Sequence, residues 1–192
     1  MRLVILLFYF NYSLYPSWNN VKKVDTGWVI AGFGNQEGTF AWSDDGVSWT
    51  NGVTTSNATP MGKNGRGYGL YNSQGLWVGG GKDEDNTGET LWWSDDGKTW
   101  NLASNSDESG QIFGTTSLSQ CRAVREQGGR WIAVGGDSGG GQKIFWSDDG
   151  KNWTTSSGNA YLDATSNVFY TVEYGNGVWW NCSFRRQIMV FN

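Results

Sequence analysis

The chain of 192 residues contains no histidine. That absence removes the side chain most often used as a general base near neutral pH and as a metal ligand, and with it any Ser-His-Asp or Cys-His catalysis. Only two cysteines occur, Cys121 and Cys182, too few for a disulfide framework or a zinc site. They are either two buried thiols, the preferred reading, or one bridge across neighbouring segments. Two prolines, scarce Ala and Leu, and many Thr, Ser and Val argue against long helices and for short strands between tight turns. No basic footprint exists: net charge is -4, and the 14 Lys and Arg are scattered apart from Arg185-Arg186, which excludes nucleic acid as a partner. The amino-terminal apolar run, Leu3 to Phe10, is eight residues long, well short of the roughly 20 needed to span a bilayer. Arg2 and this run imitate the start of a signal peptide, but no small-x-small cleavage site follows in Asn11 to Tyr15. Its β-branched and aromatic residues are read as a buried strand.

What is abundant is glycine and tryptophan. The 29 Gly fit a chain that turns often, and the 13 Trp, 8 Tyr and 9 Phe mean that rings rather than aliphatics supply the buried area. One segment recurs almost unchanged: Trp42 to Trp49 reads WSDDGVSW, Trp93 to Trp100 reads WSDDGKTW, and Trp146 to Trp153 reads WSDDGKNW, with closing tryptophans 51 and 53 residues apart. A second element precedes each box, centred on Trp28, Trp77 and Trp131, and returns a fourth time at Trp179. A fixed period of this length signals a repeat architecture. The third copy parses into four short strands: Cys121 to Glu126, Arg130 to Val134, Lys143 to Trp146 and Trp153 to Ser156. Turns are expected at Gln127-Gly128-Gly129, across Gly135 to Gly141, and at Asp148-Asp149-Gly150. Four antiparallel strands per period suggest a propeller blade. The expected fold is therefore an all-β β-propeller of about four blades in one domain over 1–192. Its parts are an amino-terminal strand (1–19), blades at 20–56, 57–105 and 106–157, and a partial blade at 158–192. The amino-terminal strand is expected either to latch the ring by completing the fourth blade, or the chain is an open segment of a larger propeller. After Trp180 the repeat pattern breaks off into Asn181 to Arg186, as a truncated or rearranged reading frame would.

Each residue type in the box has a task. The Asp accepts hydrogen bonds from backbone N–H groups further along the turn, Gly takes the positive φ of a tight hairpin, and the two tryptophans pack against the sheet beneath. These residues resemble the Asp-box, or bacterial neuraminidase repeat, with the pattern Ser-x-Asp-x-Gly-x-Thr-Trp in its short form. The resemblance assigns the Ser to Ser43, Ser94 and Ser147, the Asp to Asp45, Asp96 and Asp149, the Gly to Gly46, Gly97 and Gly150, and the closing Trp to Trp49, Trp100 and Trp153. It implies that these positions are structural, on the hairpin between the third and fourth strands of a blade and away from any active centre. Sialidases with this repeat have six blades, which at this period would need about 300 residues, and use three converging arginines. The seven arginines here show no one-per-blade spacing, so the activity is not carried over.

Other candidate sites are weighed against plainer roles. The Asp-Asp-Gly turns and the segment Asp83 to Gly88 have the carboxylates of a calcium site, but Ser94 stands where a closing Glu belongs, and turn chemistry accounts for both. No metal or cofactor is expected. A glycosidase pair would have to come from Glu126, Asp137, Asp163 and Glu173; the expectation is that the protein is not an enzyme. Trp28, Trp77, Trp131 and Trp179 are expected to pack between blades. Tyr68, Tyr71 and Tyr161, assigned to less regular segments, are the candidate ligand contacts. The sequons at Asn11, Asn57, Asn152 and Asn181 are no more than this composition produces. The resulting expectation is a non-catalytic module presenting a rigid surface to protein partners or to further copies of itself. The alternatives are a glycan-binding adhesin-like module and, last, a sialidase-like hydrolase. By resemblance alone, the setting would be extracellular, cell-surface or within a virion.

Overall fold

In the computed structural model, residues 18–24, 27–33, 39–62, 65–85, 87–106, 112–116, 119–137, 141–156, 168–183 and 188–191 are described. All of their regular structure is β, and no helix among them is long and apolar enough to cross a membrane. The strands are β1 (Trp18–Val24), β2 (Gly27–Gly32), β3 (Phe40–Ser43), β4 (Thr50–Asn51), β5 (Val53–Thr54), β6 (Arg66–Ser73), β7 (Leu76–Lys82), β8 (Leu91–Ser94), β9 (Thr99–Leu102), β10 (Ser104–Asn105), β11 (Gln120–Gln127), β12 (Arg130–Asp137), β13 (Gly141–Ser147), β14 (Asn152–Thr155), β15 (Phe169–Gly175), β16 (Val178–Ser183) and β17 (Ile188–Phe191).

They form four antiparallel meanders side by side: β1 to β4, β6 to β9, β11 to β14, and the three-stranded β15 to β17. The opening hairpins of the second, third and fourth units turn on Gln74-Gly75, Gly128-Gly129 and Asn176-Gly177, in which both central residues have positive φ. That is the turn whose twist matches the flanking strands. Of the stretch from Gly135 to Gly141, expected as a turn, Gly135 to Asp137 and Gly141 are strand instead: β12 runs through Asp137 and β13 starts at Gly141. Gly135 serves close approach, since a side chain there would run into the Gln120 carbonyl oxygen of the neighbouring strand β11.

The core is divided among the junctions between units. At the first lie Val29, Phe40, Leu70, Trp77 and Trp100; at the second, Val78, Leu91, Val124, Trp131 and Trp153; at the third, Ile132, Ile144, Val172 and Trp179. Equivalent positions do equivalent work. The second-strand tryptophans Trp77, Trp131 and Trp179 all pack between units, and the box-closing Trp100 and Trp153 are wholly buried there. Trp100 stacks on Phe40 of the preceding unit with ring centroids 3.9 Å apart and planes at 15°.

Backbone ties reinforce the first two junctions. Short parallel pairings join β5 to β9 and β10 to β14, and bridges join Phe33 to Arg66 and Lys82 to Gln120. Between the units the chain inserts a buried apolar residue in left-handed conformation, Met61 (φ 63°) and then Phe113 (φ 67°), each wholly buried. Thr39 and Thr90 donate their hydroxyls to the carbonyl oxygens just before these plugs, those of Pro60 and Ile112, both at 2.8 Å. A positive φ at a residue with a side chain is uncommon and is held here by burial on all sides.

The inner strands β1, β6, β11 and β15 pack on one another in succession, whereas β1 and β15 share no comparable packing among the described residues. The array is that of an open β-propeller segment. The expected amino-terminal latch, Leu3 to Phe10, lies outside the described residues. Cys121 is a free, buried thiol.

Replacing Trp100 with Ala empties the centre of the first junction and is expected to cost about 3–5 kcal/mol. Val21→Ala, on an exposed position, should stay within about 0.5 kcal/mol. Urea unfolding midpoints of the two variants check the contrast.

Candidate functional site

Two regions gather chemistry-bearing side chains: the rim formed by the three boxes, and the inner edge formed by the first strand of each unit.

At the rim the same network is built three times. Ser43, Ser94 and Ser147 donate their hydroxyls to Asp45, Asp96 and Asp149 at 3.0, 2.9 and 2.9 Å. Each serine oxygen accepts the N–H of the box glycine, Gly46, Gly97 or Gly150, at 2.8 Å. Those glycines sit at φ of 75°, 73° and 71°. One oxygen of each Asp then accepts the next two N–H groups, from Val47 and Ser48, Lys98 and Thr99, and Lys151 and Asn152, at 2.7 to 2.8 Å. The Asn152 side chain donates to the second Asp149 oxygen at 2.7 Å.

Hydrogen bonds to a carboxylate favour its charged form. The N–H groups of Ser48 and Val47 and the Ser43 hydroxyl draw Asp45 down to about 2. Burial pushes Asp149 up, but the N–H of Asn152, its side chain, the N–H of Lys151 and the Ser147 hydroxyl outweigh it and leave about 2. Asp96 is lowered in the same balance, with burial opposed by the N–H groups of Thr99 and Lys98 and by Ser94.

The first Asp of each pair faces outward, and in the first two boxes it is used between units. Lys98 lies 3.5 Å from Asp44 and 3.8 Å from the centre of the Trp42 ring. Lys151 repeats this one unit on, 3.2 Å from Asp95 and 3.9 Å from Trp93. Arg130, from the same unit, takes the place over Asp148, at 2.8 Å, and Trp146, at 4.4 Å. Individually such exposed pairs contribute little, but they leave no box carboxylate idle.

The other candidate acids are also engaged. Asp83 is buried and accepts from the N–H groups of Asp85, Thr87 and Gly88 and from the Thr87 hydroxyl. Its oxygens are spent on its own loop, and among the described residues no group of acids is arranged to hold a metal. Glu126 lines a cleft of about 270 Å³ with Ser73, Trp131 and Asp149. It accepts from Ser73 Oγ and from the Gly129 N–H, both at 2.6 Å. Glu173 is held by Arg125 at 2.8 Å. Asp163 lies outside the described residues, as does the side chain of Asp137.

The inner edge is the region that sequence reasoning missed. All four opening hairpins carry a β-bulge at the same register, between Trp18 and Asn20, Gly67 and Gly69, Cys121 and Ala123, and Phe169 and Thr171. The residues at the second, third and fourth bulges are Tyr68, Arg122 and Tyr170. The Arg122 guanidinium carbon sits 4.0 Å from the Tyr68 ring centre and 5.2 Å from that of Tyr170. Three residues further along each strand, Tyr71 has Lys22 and Arg125 over its ring, both at 5.6 Å, and meets Trp131 edge-on at 6.0 Å. Tyr68 and Tyr71 therefore belong to β6, a regular inner strand, and not to the less regular segments expected for them. Gly67 and Gly69, a residue type depleted in strands, concealed the strand. Tyr161 lies outside the described residues. The signal for Arg122 and Tyr170 was their common offset before the second-strand Trp, legible once the hairpins are aligned.

No protein-family model matches the chain, and no curated protein does. Among solved structures, the chain is similar to the computationally designed Ika4 protein, with 11% identity over 98% of both chains and a TM-score of 0.55. It is also similar to the computationally designed Ika8 protein, with 14% identity over 91% of this chain and 45% of that one, and a TM-score of 0.54. It thus spans somewhat under half of the latter. A weaker match is YCF48 bound to D1 peptide, at 16% identity, covering 98% of this chain and 66% of that one with a TM-score of 0.42. Similarity at these identities concerns the fold.

Two outcomes are expected at the rim. Ser94→Ala strands the buried Gly97 N–H and should destabilise by about 1–3 kcal/mol. The lowered carboxylates of Asp45 and Asp149 stabilise the fold above their unfolded value of 3.8, and that contribution is lost as pH falls through about 2. The urea midpoint should therefore drop between pH 4 and 2, and drop less in Asp149→Asn.

Proposed function

We propose that this chain is a non-catalytic, propeller-type interaction module whose leading face is completed by a further copy of itself in an assembly. One comparison carries the reading. Val21 is 54% exposed, whereas its equivalents at the three internal junctions, Leu70, Val124 and Val172, are each 0% exposed. The rest of that face agrees. Val47, in the position held by Lys98 and Lys151 in the later boxes, is 57% exposed; Trp49 and Trp28 are half-buried where Trp100, Trp153, Trp77 and Trp131 are buried.

At the other end Trp180, equivalent to the buried Val29, Val78 and Ile132, is 39% exposed. The two ends thus offer the mating surfaces that each internal junction brings together. Head-to-tail contact of this kind closes into a ring or continues as a filament, and an uncovered apolar face of this sort marks an interaction surface.

The boxes are best understood as structural Asp boxes, in keeping with the resemblance: their Ser, Asp and Gly are consumed in closing the hairpin. The commitment of Glu126 and Glu173 to partners supports a non-catalytic role. A glycan platform is less well supported, because cations already lie over the rings of Tyr68 and Tyr71.

Sedimentation velocity tests the reading. The weight-average mass of the wild-type chain should rise with concentration, and Val21→Asp should stay monomeric with an unchanged far-ultraviolet spectrum. A wild-type chain that is monomeric at its highest soluble concentration would overturn the self-assembly. Hydrolysis of an aryl-glycoside or sialoside panel, lost on Glu173→Gln, would overturn the non-catalytic assignment.

A further inference from the structure

The bulge row contains a charge with no carboxylate paired to it among the described residues. Of the four described arginines, Arg66, Arg125 and Arg130 each hold a carboxylate, those of Glu84, Glu173 and Asp148, at 2.8 to 3.0 Å. Arg122 holds none among the described residues, and its buried Nε has no hydrogen-bond partner. The contrast with Arg125, three residues along the same strand, is direct: Arg125 donates from Nε and Nη2 to Glu173 and from Nη1 to the Val124 carbonyl. A buried donor left unpaired is costly, and native structures retain one where a partner arrives from outside or a function requires it.

The surroundings define what that partner is. Tyr68 and Tyr170 place their rings beside the guanidinium, fixing its plane by cation–π contact and leaving its N–H edge as the available recognition element. A planar fork of donors pairs best with a carboxylate, by two parallel hydrogen bonds. The β-bulge that carries Arg122 is a device that re-aims a side chain out of the regular pleat, and its recurrence in all four hairpins sets the three side chains in register. Tyr170 is 47% exposed and Arg122 is half-buried, so the group lies at the surface rather than in the core. Arginine flanked by tyrosine is the composition of a protein-interface hot spot. Each ring already gives the guanidinium the contact that a sugar face would need.

We infer that Tyr68, Arg122 and Tyr170 form a clamp for an acidic side chain of a protein partner, with Arg122 binding the carboxylate and the two tyrosines holding its guanidinium in place. This deepens the interaction role proposed above and rests on it. The site lies on β6, β11 and β15 and shares no residue with the Val21 face on β1, so the two can fail separately. With a net charge of -4, the protein's overall field does not attract acidic peptides, and binding must come from the local site.

The test uses the full chain and follows the Arg122 Nε–Hε resonance by nuclear magnetic resonance. The probes are a blocked Gly-Glu-Gly peptide, its Gly-Gln-Gly counterpart, and glucuronate. The Glu peptide should shift the resonance saturably and the Gln peptide should not. Binding of the Glu peptide, followed by peptide-observed saturation transfer, should weaken about tenfold in Arg122→Lys, which keeps the charge and loses the fork. It should be unchanged in Lys23→Gln, a cation that lies over Trp28 and outside the clamp. Association through the Val21 face should be unaffected by Arg122→Lys. Absence of any shift in the folded wild-type chain, equal shifts from both peptides, or unaltered Glu-peptide binding in Arg122→Lys would overturn the clamp. Tighter binding of glucuronate than of the Glu peptide would overturn its assignment to a protein partner.

Discussion

The structure depends on one contact repeated between units: an aromatic side chain from one blade buried against the strand face of the blade before it. Each sheet is narrow, and most of its apolar area belongs to a junction rather than to the sheet itself. Trp77 and Trp100 meet Val29 and Phe40 of the first unit; Trp131 and Trp153 meet Val78 and Leu91 of the second. An isolated blade would expose both of its apolar faces and could not offset its ordering entropy. Stability in such an array is a sum over junctions, so each blade is held as well as its neighbours cover it.

This constraint orders the other features. The box holds its tryptophan at the angle that reaches the preceding blade, and its Ser-Asp network fixes that hairpin without any group from elsewhere. The lysine after the box glycine then clasps the preceding Trp and Asp. The left-handed plugs Met61 and Phe113 are buried in the cores of the first and second junctions. Where the series of junctions stops, the same positions change character, and Val21, Val47 and Trp180 stand in solvent. An exposed end of a repeat stack needs a cap or a partner.

Much of this was legible in the sequence because the repeat is local. A short box with fixed chemistry closes its own turn, so Ser43, Asp45, Gly46 and their later equivalents announce a hairpin whatever surrounds them. The four second-strand tryptophans gave the number of units, and the burial of Trp77, Trp131 and Trp179 between blades follows from ring size and spacing, whereas Trp28, expected to pack the same way, is only half-buried. What was not legible depends on register between distant strands. The bulges that align Tyr68, Arg122 and Tyr170 come from the pairing within each hairpin and the packing of one hairpin on the next, and no local motif marks them. Gly135 and Gly136 looked like a turn because glycine's two uses, positive φ and close approach, read the same in a sequence. Val47 at the clasp position was visible as the one departure from Lys in the aligned boxes, but only the junction geometry gives that departure a meaning.

Amide hydrogen exchange, resolved by blade and recorded both at dilution and under associating conditions, tests the junction account most directly. The account predicts that at dilution β6 to β9 and β11 to β14, covered on both faces, exchange slowest, that β1 to β4 exchange faster, and that β1 to β4 gain protection on association. Equal protection of the first three blades at dilution would contradict it, because the leading face would then need no neighbour.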